Sequence, residues 1–189
     1  MAFIRIPEKD VTITEYSEIK ATLANIGVGY EVWKPEVELA DGADSKSVLE
    51  AFATEIEALK AEGGYQAADV IDLFPDTPNL DVMLAKFSKE HWHDEDEIRF
   101  IVEGNGVFHI RPKDGSEVIA LYVEEGDLAR VPAGTWHWFD LRKDKRIRAI
   151  RLFQDPSGWT PHYTDSGVDK GYLPVCFGLD FIPAQLSHL

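Results

Sequence analysis

The pattern of hydrophobic and polar residues changes partway along the chain. Before residue 81, apolar residues recur at helical spacing, and a helix is predicted after Thr14 and another around residues 67–73. The clearest apolar stripe ends at Gly63-Gly64 and comprises Val48, Leu49, Phe52, Ile56 and Leu59. After a short opening strand at residues 3–6, residues 1–80 are therefore predicted to be mainly helical.

From residue 81 onward, short apolar runs alternate with turn signals such as Gly104-Asn105-Gly106. The runs lie at residues 82–87, 98–102, 107–110, 118–123, 128–131, 136–141 and 147–153. Many short strands at regular spacing are typical of an antiparallel sandwich or small barrel. We therefore predict one mainly β domain over residues 1–189: a helical elaboration (1–80), a barrel core (81–155) and a C-terminal extension (156–189).

Charge and composition narrow the choice of partners and compartment. The chain has 189 residues, with 34 acidic against 19 basic side chains and a net charge of −15. This excess disfavours nucleic acid and anionic membranes as partners, and it favours a monomer. No apolar stretch reaches membrane-spanning length, the first residues do not resemble a signal peptide, and Cys176 is the single cysteine. We expect a cytoplasmic protein.

Candidate chemistry is concentrated in the segment from His91 to Glu97. Residues two apart on a strand face the same way, so His91 and His93 present their imidazoles to one side. Glu97 follows a short acidic turn and can return to that side at the start of the next strand. Two imidazoles and one carboxylate suit a divalent ion such as Fe, Ni, Mn or Zn, although His-x-His alone is a weak signal.

A second motif lies downstream, where a Pro132-x-Gly134 turn precedes a strand that carries His137. The two motifs together resemble those of the cupin superfamily, which are small antiparallel β-barrels (jelly rolls) with an interior metal. The resemblance implies a cupin-type fold and adds His137 to the ligand set of His91, His93 and Glu97. Two positions depart from the family pattern without touching the ligands, namely Ala85 and Leu141.

A narrower resemblance extends over most of the chain. The segments that carry it are residues 91–100, 103–108, 131–140 and 149–153, and they are similar to acireductone dioxygenases. The resemblance implies one Fe2+ or Ni2+ per chain, O2, and an acireductone of the methionine salvage pathway, 1,2-dihydroxy-3-keto-5-methylthiopentene. With iron that family forms 4-methylthio-2-oxobutanoate and formate. With nickel it forms 3-methylthiopropanoate, formate and carbon monoxide.

An anionic substrate in an acidic protein needs local positive charge. Arg99 lies two residues after Glu97, so it is expected to share the ligands' face and to offset the substrate's charge. Arg151 lies in an alternating strand, and the resemblance places it in the same pocket. The resemblance also makes Phe87, Phe139 and Trp159 the apolar walls for the methylthio tail, where the residues alone predict only core positions.

Other functions stay open at this point. One is a different cupin reaction, such as an isomerase or another dioxygenase, and the Glu-Ile-Arg-Phe run and helical N-terminus argue against it. Another is a cupin that binds a metal or ligand without catalysis. A sensor of that kind would carry a basic helical region, and a storage protein would commonly lack some ligands. We assign no ligand role to His109, His162 or His188.

Overall fold

Alternating apolar residues form antiparallel strands, as the sequence pattern predicts. The computed structural model describes residues 2–34, 39–40, 42–155 and 159–172; Cys176 and most of the predicted C-terminal extension lie outside them. The strands are β1 (Phe3–Ile6), β2 (Val11–Ile13), β3 (Gly29–Val32), β4 (Ala67–Leu73), β5 (His91–Trp92), β6 (Glu97–Arg111), β7 (Ile119–Glu124), β8 (Asp127–Val131), β9 (Trp136–Leu141), β10 (Ile147–Phe153) and β11 (His162–Tyr163). The α-helices are α1 (Tyr16–Ala24), α2 (Ser45–Ala51), α3 (Ala53–Gly63) and α4 (Leu80–Leu84).

Strand β6 belongs to two sheets. The front sheet has the order β11-β5-β9-β6-β7-β1-β2, and the back sheet has the order β4-β10-β6-β8-β3, with every pair antiparallel. Residues 97–104 of β6 pair in the back sheet and residues 105–111 in the front sheet. Gly104 lies at this bend with φ +82, and a Cβ there would stand 2.2 Å from the Arg146 carbonyl oxygen. The bend therefore requires glycine.

The predicted turn at residues 104–106 is wrong, since β6 continues through it. A bulge places Val102 between the partners of Arg148 and Ala149, and it reverses which residues face inward. Arg99 and other odd-numbered residues face the interior before the bulge, whereas even-numbered ones such as Phe108 do so after it. His109 consequently lies on the outer face, stacked on Trp138 at 4.7 Å.

The main core lies between the two sheets. It combines Ile4 and Leu121 from the front sheet with Val131 and Ala149 from the back sheet. On the outer face of the back sheet, the predicted stripe on α2 and α3 packs against β6, where the Phe52 and Phe100 rings lie 4.6 Å apart. Burying each such side chain contributes about 1.5–3 kcal/mol.

Two predicted elements have the wrong type, and both lie beside the predicted ligand residues. Residues 67–73 form strand β4 and not a helix, because they pair with β10 along their whole length, which overrides local propensity. Residues 82–87 form no strand: the chain is helical over Leu80–Leu84. The apolar residues there follow helical i, i+3, i+4, i+7 spacing, and they are Leu80, Met83, Leu84 and Phe87.

The N-terminal 80 residues are only partly helical. Strands β1 and β2 extend the front sheet, while β3 and β4 form edges of the back sheet. Among the described residues, no helix has the length and apolar character needed to cross a membrane.

Candidate metal centre

Three strands bring the predicted ligands to one point between the sheets. His91 on β5 is the direct cross-strand partner of His137 on β9, and His93 and Glu97 flank the acidic turn that leads into β6. All four side chains are 1–2% exposed. One ligand atom from each lies within 4.8 Å of the others. The structure therefore brings together the four residues that the strand period and the cupin resemblance grouped as candidate ligands.

Backbone carbonyls hold each imidazole through its Nδ1 atom. His91 Nδ1 lies 2.6 Å from the Lys89 oxygen, His93 Nδ1 lies 2.9 Å from the Thr160 oxygen, and His137 Nδ1 lies 2.8 Å from the Thr135 oxygen. A carbonyl oxygen only accepts hydrogen bonds, so each Nδ1 carries the proton. The Nε2 lone pairs of all three rings are consequently left for the interior, which is the arrangement that metal-binding histidines require.

The Nε2 atoms and the carboxylate fit a divalent cation. His91 Nε2 and His93 Nε2 are buried without a hydrogen-bond partner among the described residues, and such an orphaned atom costs about 1–3 kcal/mol. Glu97 Oε2 lies 3.2 Å from His93 Nε2 and 3.1 Å from His137 Nε2. Ligands on one ion stand at most about 4.2 Å apart, twice a bond of about 2.1 Å, which is close to the observed span.

Charge at the centre favours a cation as well. Burial lowers the pKa of His91 to about 4, and His137 acts in the same direction. Burial acts to lower the pKa of His93 too, but the Glu97 carboxylate outweighs it and the pKa is raised. For Glu97, burial opposes ionisation, yet the Arg99 charge and the two imidazoles hold its pKa well below the usual range. The carboxylate is therefore ionised at neutral pH.

Arg99 is the buried positive charge beside the ligands. It faces inward, as the strand period predicts, and is 6% exposed. Its Nη2 lies 2.7 Å from Glu97 Oε1, and its guanidinium lies 4.1 Å from the centroid of the Phe139 ring. Its Nε has no hydrogen-bond partner among the described residues. Burial and the charge of Arg151 lower the pKa of Arg99, although an arginine stays cationic.

Arg151 stands next to Arg99 on the neighbouring strand. The two are cross-strand partners between β10 and β6. Asp69 on β4 binds Arg151 through both carboxylate oxygens, with Nε at 2.9 Å and Nη2 at 2.6 Å. Two guanidinium groups thus lie side by side, one paired with Glu97 and the other with Asp69. Together they form a cationic wall for the space beside the ligands.

Of the three predicted aromatic residues, Phe87 and Phe139 line the space beside the two arginines, and Trp159 packs against a ligand ring. The Phe87 ring lies 6.4 Å from the His91 ring, and its carbonyl accepts a hydrogen bond from the Phe139 amide at 2.9 Å. Trp159 stacks 6.0 Å from the His93 ring and donates its Nε1 hydrogen to the Asp96 carbonyl at 3.2 Å. A Cβ at Gly106 would stand 2.2 Å from the Phe139 ring, so glycine leaves room for that ring.

A narrow cavity opens between these groups. It has room for about one water molecule, with a volume of about 20 Å³. Its lining combines both arginines with apolar residues from β4, α4, the turn after α4, β9 and β10. The lining residues are Arg99, Arg151, Phe87, Phe139, Ile71, Leu73, Met83, Leu84, Leu141 and Ile147. Trp159 does not line it. A larger open groove of about 400 Å³, beside Arg111, Lys113 and Trp136, contains none of the predicted site residues.

The acidic run between His93 and Glu97 fastens loops around the centre. Asp94 Oδ2 lies 2.6 Å from His162 Nε2, and Glu95 Oε2 accepts hydrogen bonds from the Gln154 and Asp155 amides. Asp96 accepts from the Tyr65 hydroxyl at 2.8 Å and from the Ala133 amide at 3.0 Å. These carboxylates therefore hold the surrounding segments, while backbone carbonyls orient the histidines.

Sequence reasoning missed two carboxylates near the centre. A helix over residues 67–73 does not place Asp69 beside Arg151, so that prediction gave Asp69 no role at the site. Glu90, 2% exposed, precedes His91 and binds Arg111, whose Nη2 lies 2.8 Å from Glu90 Oε2. It also accepts hydrogen bonds from the hydroxyls of Thr164 and Ser166, and so fixes the segment that follows β11. No signal in the sequence distinguishes this carboxylate from an exposed one.

Comparison with known proteins gives one consistent match. A family model described as the ARD/ARD′ family matches residues 6–161. Acireductone dioxygenase from Synechococcus sp. (strain CC9605) is 44% identical over 156 residues, which cover 82% of each chain. Acireductone dioxygenase from Parvibaculum lavamentivorans is 45% identical over 152 residues, covering 80% of this chain and 82% of the relative.

A solved structure agrees with these relatives. Acireductone dioxygenase from Bacillus anthracis, with a cadmium ion in its active centre, superposes with a TM-score of 0.79 and 41% sequence identity. The match covers 86% of this chain and 98% of that one. A mainly antiparallel β fold, a family model over most of the length and relatives at this identity lead to one conclusion: the chain belongs to the acireductone dioxygenase (ARD/ARD′) family.

Proposed function

We propose that this protein is a metal-dependent acireductone dioxygenase that cleaves 1,2-dihydroxy-3-keto-5-methylthiopentene with O2. The observation that carries the proposal is the convergence of four buried ligands beside two arginines and an apolar cavity. Three groups of residues are then matched to three parts of the reaction: ligands for a metal, cations for an anionic head, and an apolar wall for a thioether tail.

We assign the metal to His91, His93, Glu97 and His137. The unpartnered Nε2 atoms of His91 and His93 and the ionised Glu97 carboxylate support this assignment. A bound divalent ion would act as a Lewis acid that stabilises the acireductone in its enediolate form. Imidazole and carboxylate ligands suit both Fe2+ and Ni2+, and we propose one such ion per chain.

The protein's own residues would bind and orient the substrate. The free Nε of Arg99 can donate a hydrogen bond to the anionic head, and Arg151 adds a second positive charge beside it. Positive charge fixed in a buried site is effective because no solvent has to reorganise around it. Glu97 and Asp69 keep the two guanidinium groups in place.

Apolar side chains would keep water away from the reacting carbons. Phe139 covers the Arg99 guanidinium, and Phe87 lines the cavity with its ring 6.4 Å from the His91 ring. Trp159 packs on the other side, against His93 and against Phe153 at 4.7 Å. Excluding water strengthens the electrostatic contacts and limits hydrolysis of reactive species.

Product analysis with defined metals tests this function. The protein, freed of metal with a chelator, is reloaded with Fe2+ or Ni2+ and given the acireductone and O2. We expect 4-methylthio-2-oxobutanoate and formate from the iron form, and 3-methylthiopropanoate, formate and carbon monoxide from the nickel form. Failure of both forms to consume O2 above the protein-free rate would overturn the proposal. A cytoplasmic, monomeric enzyme is part of the proposal, supported by the single cysteine and the net charge of −15.

A further inference from the structure

The residues around the cavity beside the metal centre change from polar to apolar along strands β9 and β10. Alternate residues of β9 face it, and a rise of about 3.3 Å per residue puts Leu141 roughly 13 Å beyond His137. On β10, Ile147 lies equally far from Arg151. The end near the ligands is therefore lined by the two arginines and the far end by aliphatic side chains. An acireductone has the same order of an anionic head and a thioether tail.

The cavity is too small for that tail as it stands. Room for about one water molecule does not admit a methylthioethyl group, so part of the wall must shift when substrate binds. Strand β4, which contributes Ile71 and Leu73, is paired with β10 over Ala67–Leu73. Moving this strand outward would break that hydrogen-bond ladder. The strands are thus the rigid part of the wall.

Helix α4 forms the part of the wall that lies outside the sheets. It has five residues, and its N-cap Asn79 makes no side-chain capping hydrogen bond. An ion pair between Lys145 and Asp81 at 3.1 Å ties it to the turn between β9 and β10 from an exposed position, where such pairs contribute little. Its other attachment is apolar: Leu80, Met83 and Leu84 pack against the main core.

We propose that Met83 and Leu84 determine which acireductone tails the enzyme accepts, an inference that rests on the proposed function. Both side chains line the cavity from the helix that can shift, so their size sets how far the cavity can open. The flexible thioether of Met83 adapts to an unbranched tail of similar shape. Longer or branched tails would have to displace both side chains, and they are disfavoured.

Two substitutions of opposite size test this role. Met83→Ala enlarges the cavity and Met83→Phe fills it, and each variant is assayed by kcat/KM with acireductones that carry methylthioethyl, butyl, hexyl or isobutyl tails. We expect Met83→Ala to raise the ratio of hexyl to methylthioethyl kcat/KM by about tenfold or more, because one methylene in an apolar pocket is worth about ten- to two-hundredfold. We expect Met83→Phe to lower the same ratio.

Val82→Ala is the matched control. Val82 lies on the same helix, is 64% exposed and does not line the cavity, so its ratio should equal that of the wild type. Equal ratios in wild type, Met83→Ala and Met83→Phe would overturn the inference, and so would an equal shift in Val82→Ala. Either result leaves the proposed function intact. Absence of any turnover of the methylthioethyl substrate by the wild type would instead overturn the proposed function itself, and this inference with it.

Discussion

Replacing Arg99 by methionine tests whether Arg99 and a bound metal ion both compensate the negative charge of Glu97. The two side chains form a buried ion pair at 2.7 Å, with Arg99 6% exposed and Glu97 2% exposed. Removing one partner of such a pair leaves an uncompensated buried charge and costs about 3–5 kcal/mol. That is a large share of a stability of about 5–15 kcal/mol. Without metal, the urea midpoint should fall by roughly 1–3 M.

A bound cation should rescue much of this loss. The ion would compensate the Glu97 carboxylate, leaving mainly the lost contact between the Arg99 guanidinium and the Phe139 ring, worth about 1–2 kcal/mol. The difference between the two losses, about 2–3 kcal/mol, is the free energy by which the variant should bind metal more tightly, and it corresponds to roughly 30- to 160-fold. The arginine and the metal compete for one carboxylate. Substrate binding should weaken at the same time, because a cation for the anionic head is lost.

Urea unfolding with and without saturating Ni2+ measures both losses, and a competing chelator measures metal affinity. Arg130→Met is the control, since Arg130 pairs at the surface with Glu62 at 3.0 Å and lies away from the ligands. It should change stability little, and by the same amount with and without metal. Equal destabilisation of Arg99→Met in both conditions, or weaker metal binding by that variant, would refute the reasoning.

Three other changes test separate parts of the account. Gly104→Ala should lower the free energy of unfolding by at least about 1–2 kcal/mol in thermal denaturation, because the bend has φ +82 and the new Cβ meets a carbonyl oxygen; normal stability would contradict this. Asp69→Asn should raise KM severalfold with kcat nearly unchanged in steady-state assays, because the Asp69 carboxylate positions Arg151. An unchanged KM would show that Arg151 needs no such partner. Apparent metal affinity, measured by chelator competition between about pH 5.5 and 8, should fall as pH falls, because the pKa of His93 is raised and protons compete with the metal there. Each proton that the metal must displace lowers the affinity about tenfold per pH unit, and a pH-independent affinity would exclude His93 as a ligand.

Three of the four candidate ligands could be predicted because their grouping depends on local geometry. Alternation on β5 puts His91 and His93 on one face, and the spacing to Glu97 needs only a short turn. The pairing of β5 with β9, which places His137 opposite His91, is a long-range contact that alternation does not show. Only the resemblance between motifs linked the two segments before the structure did.

The walls of the site were harder to predict, and the reason is physical. Residues 67–73 contain both helix-forming alanines and strand-forming Val70 and Ile71, and only the β10 partner decides between them. The apolar residues within 80–87 are helically spaced, but a short apolar run is equally compatible with a strand. Because of these two errors, the sequence did not identify Asp69, which binds Arg151, or Met83 and Leu84, which line the cavity from α4.

The bulge in β6 shows a similar limit. Glycines at 104 and 106 are typical of a turn, yet here one supports a bend and the other makes room for the Phe139 ring. The strand therefore continues and changes sheets, which keeps Arg99 inside and turns His109 outside. The prediction that His109 is no ligand rested on the lack of a partner motif, and the structure adds its outward orientation.

The most direct test of the central claim is an anaerobic mixing experiment. Metal-loaded protein is mixed with the methylthio acireductone without oxygen and then with O2, while acireductone absorbance and O2 are followed together against a protein-free solution and against His93→Ala. The account predicts stable absorbance until O2 arrives, then rapid loss with one O2 consumed per acireductone, and only the protein-free rate with His93→Ala. Loss of the absorbance before O2 is added, as an isomerase would produce, or equal rates with His93→Ala, would contradict it.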